Sequence, residues 1–300
     1  SPMANDFSNI LETAVETFYT RLGGSISNYT NVADVIGLDA ATIQRADIYG
    51  ITAFASQAAS PTAEDVKTSK NVVNSAAYEK LVSVTHKNLR DNPELGASIA
   101  GTMADAASWT IANLFWTTFA ALDTTAHPEN GGNYTAVGAG TVYFADNFAT
   151  PVAQANLATA ALSASSLGTM RATMRGYKNK AGLPLGLDMT PSNLRLVVPP
   201  ALETTATDLT SRPGELYDGS GLQSGSFGGI QVVTMPTAGD DNDFWLIHRP
   251  SSPVKLWIRQ QPYFKVTQAE ATGHWNFYGQ LEAAVVLEPF EGGVIMGKVA

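Results

Sequence analysis

The residues whose types and spacing invite a chemical reading sit mostly in the second half of the chain. Gly292-Gly-Val-Ile-Met-Gly297-Lys298-Val299 comes within one residue of the phosphate-cradling pattern G-x-x-x-x-G-K-[ST], but Val299 stands where the metal-binding hydroxyl belongs. Ser252-Pro-Val-Lys255 fits S-x-x-K, a motif whose serine and lysine meet only across a helical turn. Pro253 and the extended pattern running through Ile258 oppose that helix. Gly138-Ala-Gly140 lacks the third glycine of a dinucleotide loop. Asp240-Asp-Asn-Asp243 resembles the start of a calcium loop without its glycine and closing glutamate, and reads as a solvated turn. His86, His127, His248 and His274 are far apart and form no H-x-x-x-H pair. With no cysteine, thiolate nucleophiles, disulfides and cysteine-ligated metals are excluded. No nucleophile, base and orienting group fall together, so no catalytic, cofactor-binding or metal residue is assigned, no cofactor is expected, and the chain reads as a non-enzyme.

Composition sets further bounds. Three hundred residues supply one large domain or two modest ones, with 44% hydrophobic and only 15% charged residues, against about 25% charged in ordinary domains. The chain is too apolar for disorder, and its low charge density implies a surface covered in part by something other than water. Eighteen Lys and Arg against 27 Asp and Glu give a formal charge of −9, which opposes sequence-reading nucleic-acid binding. Residues 1–66 carry eight acids against two bases. No basic segment followed by an apolar core opens the chain, so no export signal is expected. The longest uncharged apolar run, Ala106–Leu122, is shorter than the ~20 residues of a membrane span.

The elements follow from periodicity. Phe7, Ile10, Leu11, Ala14, Val15, Phe18 and Leu22 recur at three- and four-residue steps, predicting an amphipathic helix that Gly23-Gly24 stops. Residues 25–76 are dominated by Ser, Thr, Ala and Asn, with extended candidates only near Ile43–Phe54 and Val66–Val73. Such a segment reads as a projecting hairpin stabilised by a partner. Tyr78–Leu89 reads as a strand. Asn92 offers an N-cap to a helix with Pro93 in its first turn, and Leu95, Ile99, Met103, Ala106, Thr110, Leu114, Phe115, Phe119 and Leu122 form its stripe. A helix from Pro93 to Leu122 would measure roughly 45 Å, a strut rather than an ordinary helix. Residues 123–154 read as loop with short strands near Thr141–Phe144. Helices over Ser163–Tyr177 and Ala201–Leu209 and strands at Arg195–Val198, Ile230–Met235, Phe244–His248, Val254–Gln260, Phe264–Thr267 and Trp275–Leu287 complete an α+β pattern without internal repeats. The C-terminal aromatics, Trp245 to Tyr278, read as core or interface packing.

Two stretches carry a resemblance. Thr85-His-Lys-Asn-Leu89-Arg-Asp91-Asn-Pro93-Glu-Leu95, leading into the long helix, resembles the approach to the spine helix in tailed-phage major capsid proteins of the Hong Kong 97-like fold. Met174-Arg-Gly-Tyr-Lys followed by Gly182-Leu-Pro-Leu-Gly186, and Leu194-Arg-Leu-Val-Val-Pro-Pro-Ala-Leu-Glu203, are similar to the Mu-like major head subunit family, as are Phe244-Trp-Leu-Ile and Lys255-Leu-Trp-Ile-Arg-Gln-Gln-Pro-Tyr-Phe264. The resemblance implies an N-terminal arm (1–33), an E-loop (34–78), a peripheral domain (79–123 and 250–300) with a spine helix at 93–122, and an axial domain (124–249). It also implies a structural role, in which hexamers and pentamers of the chain tile an icosahedral shell around double-stranded DNA that is met only by non-specific proximity. Portal, scaffold or decoration proteins are the further partners, the virion capsid the location and the host cytoplasm the place of assembly, with no membrane involved.

The hairpin and arm direct attention to Arg45, Phe54, Lys67, Lys70, Phe7 and Phe18 as contacts between subunits. Some members of the fold cross-link a lysine to an asparagine; Lys67 and Lys70 fall in the hairpin, but no matching asparagine is identified, and cross-linking is not expected. An encapsulin-like compartment shell is the alternative within the same fold, and a cysteine-free α+β hydrolase the alternative outside it.

Overall fold

A computed structural model describes residues 2–24, 28–37, 42–49, 67–123, 144, 148–149, 153–178, 182–211, 227–236, 242–269, 273–287 and 293–298. In chain order these hold α1 (Pro2–Gly24), β1 (Asp34–Gly37), β2 (Thr42–Tyr49), β3 (Lys67–Asn74), β4 (Ala76–Val84), α2 (His86–Asp91) and α3 (Leu95–Ala120). Then come β5 (Phe148–Ala149), β6 (Ala153–Gln154), β7 (Leu157–Ala158), α4 (Ala164–Arg175), β8 (Leu194–Val198), α5 (Glu203–Ser211) and β9 (Gln231–Thr234). The chain continues through β10 (Phe244–His248), β11 (Val254–Gln268), β12 (Trp275–Leu287) and β13 (Val294–Gly297).

Two sheets carry the fold. The first has the order β1-β11-β12-β4, with β1 parallel to β11 and the other pairs antiparallel. α1 and α3 pack together and lie against this sheet. Phe18 stacks on Phe264 at 4.7 Å between ring centroids, and Phe277 and Met103 are buried beside them. The second sheet has the order β7-β13-β10-β8-β9. Its central strand β10 is buried at every position, as expected of a strand covered on both faces. Around it gather Trp116, Phe115 and Phe119 of α3 and Leu167, Met170 and Met174 of α4, so the C-terminal half of α3 belongs to the core of the second sheet. β2 and β3 pair only with each other among the described residues.

The sequence expectations hold for most elements, and the departures have physical causes. β4 ends at Val84 instead of running to Leu89, because the Thr85 hydroxyl accepts the Asn88 N–H at 3.2 Å and caps α2. Asn92 closes α2 rather than opening the spine helix, which starts after Glu94 without a side-chain cap. α3 therefore holds 26 residues, about 39 Å at ~1.5 Å per residue, and a 3-10 turn, Ala121–Asp123, prolongs it. α3 is also buried along a second face: Gly96, Ala100, Gly101 and Ala104 are small, and a Cβ on Gly96 would stand 3.2 Å from Ile10 of α1. Small residues let the two helices approach closely. Val254–Gln260 and Phe264–Thr267 are one strand, β11, whose register shifts at Ile258/Gln260 and Gln260/Tyr263 accommodate Pro262. The expected strand near Thr141–Phe144 lies outside the described residues except for buried Phe144. β13 went unread as a strand; a Cβ on its Gly297 would run into the Phe244 ring.

Candidate assembly surface

The motif-like segments become structural in three dimensions. Val294–Gly297 of the phosphate-loop look-alike pairs with β10 and β7 as a buried strand. Ser252 and Lys255 straddle the start of β11, with Ser252 buried and Lys255 paired in register with Asp34 and Val286. Asp243 is buried, and its carboxylate stands 3.9 Å from the Lys298 ammonium. His248 is buried with Nδ1 3.1 Å from the Ser251 hydroxyl and Nε2 3.1 Å from the Asp188 carbonyl. Burial pushes its pKa below the ordinary histidine value, opposed by the backbone hydrogen bond and the charge of Asp188. Among the described residues no three His, Asp or Glu side chains are placed to hold a metal, and no helix is long and apolar enough to cross a membrane.

The expected contact residues divide. Phe18 is only 1% exposed and is committed to Phe264 within its own chain, which corrects its assignment as a contact between subunits. Phe7 lies in α1 and Phe54 outside the described residues. Arg45 sits opposite Asn71, Lys70 opposite Ala46 and Lys67 opposite Tyr49 in the β2–β3 ladder, so the structure brings these three onto one hairpin.

The segment leading from α1 to that hairpin is tied down by polar contacts. Asn28 accepts the indole N–H of buried Trp116 at 3.0 Å and donates to the Thr234 carbonyl at 2.7 Å, joining the spine helix to β9. Arg249 donates to Asp34 at 2.7 Å and to the Thr30 and Ala33 carbonyls at 3.2 Å each. At the hairpin's other end Glu282 accepts from Ser75 and, at 2.8 Å on each oxygen, from Arg259. These hydrogen bonds and the Arg259 charge hold the Glu282 carboxyl below the usual carboxylate range. Both strands of the hairpin thus leave from anchored points.

Sequence reasoning missed Trp109 and left Tyr263 among aromatics of the core or an interface. Trp109 of α3 is 67% exposed, and Tyr263, displaced by the β11 register shift, is 43% exposed. Between them runs an apolar hollow of about 210 Å³ whose lining includes Met103, Gly279, Leu281 and Pro262. The available signal was a tryptophan lying off the stripe that α3 was expected to bury.

A family model described as phage capsid protein matches residues 70–293. A comparison with curated proteins finds no match. Among solved structures, the mature capsid of bacteriophage PhiM1 is similar with TM-score 0.55 and 10% identity, covering 92% of this chain and 88% of that one. The capsid of the native GTA particle has TM-score 0.54 and 12% identity, covering 92% and 91%. The virus-like particle of Pyrococcus furiosus has TM-score 0.52 and 8% identity, covering 96% and 99%. At these identities the likeness shows a common fold.

Proposed function

The chain belongs to the phage capsid protein family and carries the Hong Kong 97-like fold, and from that premise we propose that copies of it tile a closed icosahedral shell around double-stranded DNA. It is a structural capsid protein and not an enzyme. The observation that carries the reading is the family match, which spans residues 70–293 and so takes in the spine helix and every strand of the two sheets except β1 and β13.

The physical organisation supports this reading. α3 crosses from the α1-covered sheet to the core of the second sheet, a stiff axis shared by both. β2 and β3 form a ladder that no other described strand joins, and an isolated two-stranded hairpin is marginal in water. Lying across a neighbouring subunit would supply the hairpin with further partners for its strands and side chains. In this reading residues 1–33 are the arm and 34–78 the E-loop. The peripheral domain comprises 79–123 and 250–300, and the axial domain 124–249. Arg45, Lys67, Lys70, Phe54 and Phe7 are the contact residues. The similarity of Val197-Val-Pro-Pro-Ala-Leu-Glu203 to Mu-like head subunits supports that subfamily, with assembly in host cytoplasm and portal, scaffold or decoration proteins as partners. Encapsulin-like shells share the fold, and the phage family match favours the viral reading over them.

Negative-stain microscopy of the purified full-length chain tests the proposal beside a variant lacking residues 44–70. Closed shells from the full-length chain, and soluble unassembled protein from the deletion, are expected. Full-length protein that forms no particles at high concentration contradicts the shell reading. Shells from the deletion variant contradict the role given to the hairpin.

A further inference from the structure

A crease between α3 and β11 opens onto the chain's own core. Its floor is Met103, Gly279 and Leu281, and its rim carries Trp109, Tyr263 and Lys80. Gly279 opens it by leaving the inner face of β12 without a side chain, where a Cβ would stand 3.1 Å from Met103. The β11 register shift opens it further by turning Tyr263 outward beside Pro262. Beyond Pro262 the seam continues into a second hollow of about 160 Å³ lined by Leu22, Ile111 and Ile258. Concavity therefore runs along the helix–sheet seam on both sides of the proline.

We propose that this crease is a contact between copies of the chain, with Trp109 as its anchor and side chains of a second copy as its occupant. The inference rests on the capsid reading, which makes another copy the partner at hand. Three observations select this occupant. The larger hollow, at about 210 Å³, falls below the roughly 300–1,000 Å³ of small-molecule pockets and suits one or two inserted side chains. Tryptophan and tyrosine, the residues exposed at its rim, are those enriched where interfaces concentrate their binding energy. Lys80 and Glu79 are successive in β4 and so point to opposite faces. Both residues line the crease, and Lys80 makes no ion pair among the described residues. A cation at the mouth of an apolar hollow matches a partner with excess acid, and this chain carries 27 acids against 18 bases. The crease alone is too small for a stable pairwise interface of about 800 Å² per partner, which fits a shell held by many shared contacts.

Because the chain has no cysteine, a Lys80→Cys variant carries a single thiol on the rim of the crease. Its maleimide labelling rate is compared in unassembled subunits and in purified shells. A fall of tenfold or more on assembly is expected, and an unchanged rate overturns the proposal. Trp109→Ala, at an exposed position, should keep the wild-type melting temperature as unassembled subunit and lose most of its yield of shells. Wild-type yield from Trp109→Ala overturns its role as anchor. Where Lys80→Cys does not assemble, a Trp109→Phe shell probed with an iodide quencher replaces the labelling. Loss of the quenchable tryptophan signal between wild-type and variant shells, as large as between the two unassembled subunits, shows Trp109 still exposed in the shell and overturns the proposal; its absence supports burial. A wild-type chain that makes no shells refutes the capsid reading itself, a result separate from the other outcomes.

Discussion

Replacing Asn28 by alanine removes one side chain that satisfies two distant groups. The Trp116 indole N–H, on a fully buried ring, donates to Asn28 at 3.0 Å, and Asn28 donates to the Thr234 carbonyl at 2.7 Å. A buried donor left without an acceptor costs about 1–3 kcal/mol. The half-buried Thr234 carbonyl can recover a water, so its lost bond costs only about 0.5–1.5 kcal/mol. Together the expected destabilisation is about 1.5–4.5 kcal/mol, equivalent to about 2–7 °C in melting temperature for a chain of 300 residues. The assay is thermal unfolding of unassembled subunits followed by near-ultraviolet circular dichroism. A double-mutant cycle with Trp116→Phe isolates the indole bond: with the donor already gone, Asn28→Ala should cost about 1 kcal/mol, leaving a coupling of at least about 1 kcal/mol. An Asn28→Ala melting temperature within about 2 °C of wild type, or strict additivity with Trp116→Phe, would refute the reasoning that Asn28 ties the spine helix to β9.

Three further outcomes follow from the same packing. Gly297→Ala places a Cβ into the Phe244 ring, which is fully buried on β10 and has nowhere to move; overpacking of this kind should cost about 3 kcal/mol, read as a lower denaturant midpoint with unchanged slope. Phe115→Asp sets an uncompensated charge in the core between α3 and the second sheet, and should abolish soluble expression, whereas Trp109→Asp on the exposed face of α3 should not. His248 has its pKa depressed in the folded state, first by burial. The unfolded chain therefore takes up a proton at higher pH than the folded one. The neutral histidine's contribution is complete above about pH 6.5 and is lost as pH falls through the depressed folded value. His248→Gln should flatten the wild-type decline in stability over that window, and an identical pH profile in the variant would contradict it.

Much of the architecture was legible because periodicity reports burial. The α1 stripe, β10 and β12 follow directly from apolar spacing, since each buries one face or, for β10, both. What escaped depended on contacts remote in sequence. β4 and α2 divide at Thr85 because a hydroxyl there outcompetes strand propagation. β13 hides in the near match to a phosphate-cradling pattern until Phe244 is seen to need the space at Gly297. The small-residue face of α3 acquires meaning only with Ile10 and Arg21 of α1 packed against it. The candidate surface was legible in part. The weak pattern of residues 25–76 marked the hairpin, whose paired strands are Thr42–Tyr49 and Lys67–Asn74. Phe18 looked available because a helical stripe does not say whether its partner is the same chain or another one. Trp109 was passed over because exposure of a large aromatic cannot be read from spacing alone.

The central claim is that this chain works by binding copies of itself, and a cryo-electron-microscopy reconstruction of the purified full-length protein measures it most directly. The account predicts a closed icosahedral shell in which the β2–β3 hairpin of one subunit rests on its neighbour. Isolated 31.7 kDa subunits at every concentration, or a shell whose hairpins fold back on their own subunits, would contradict it.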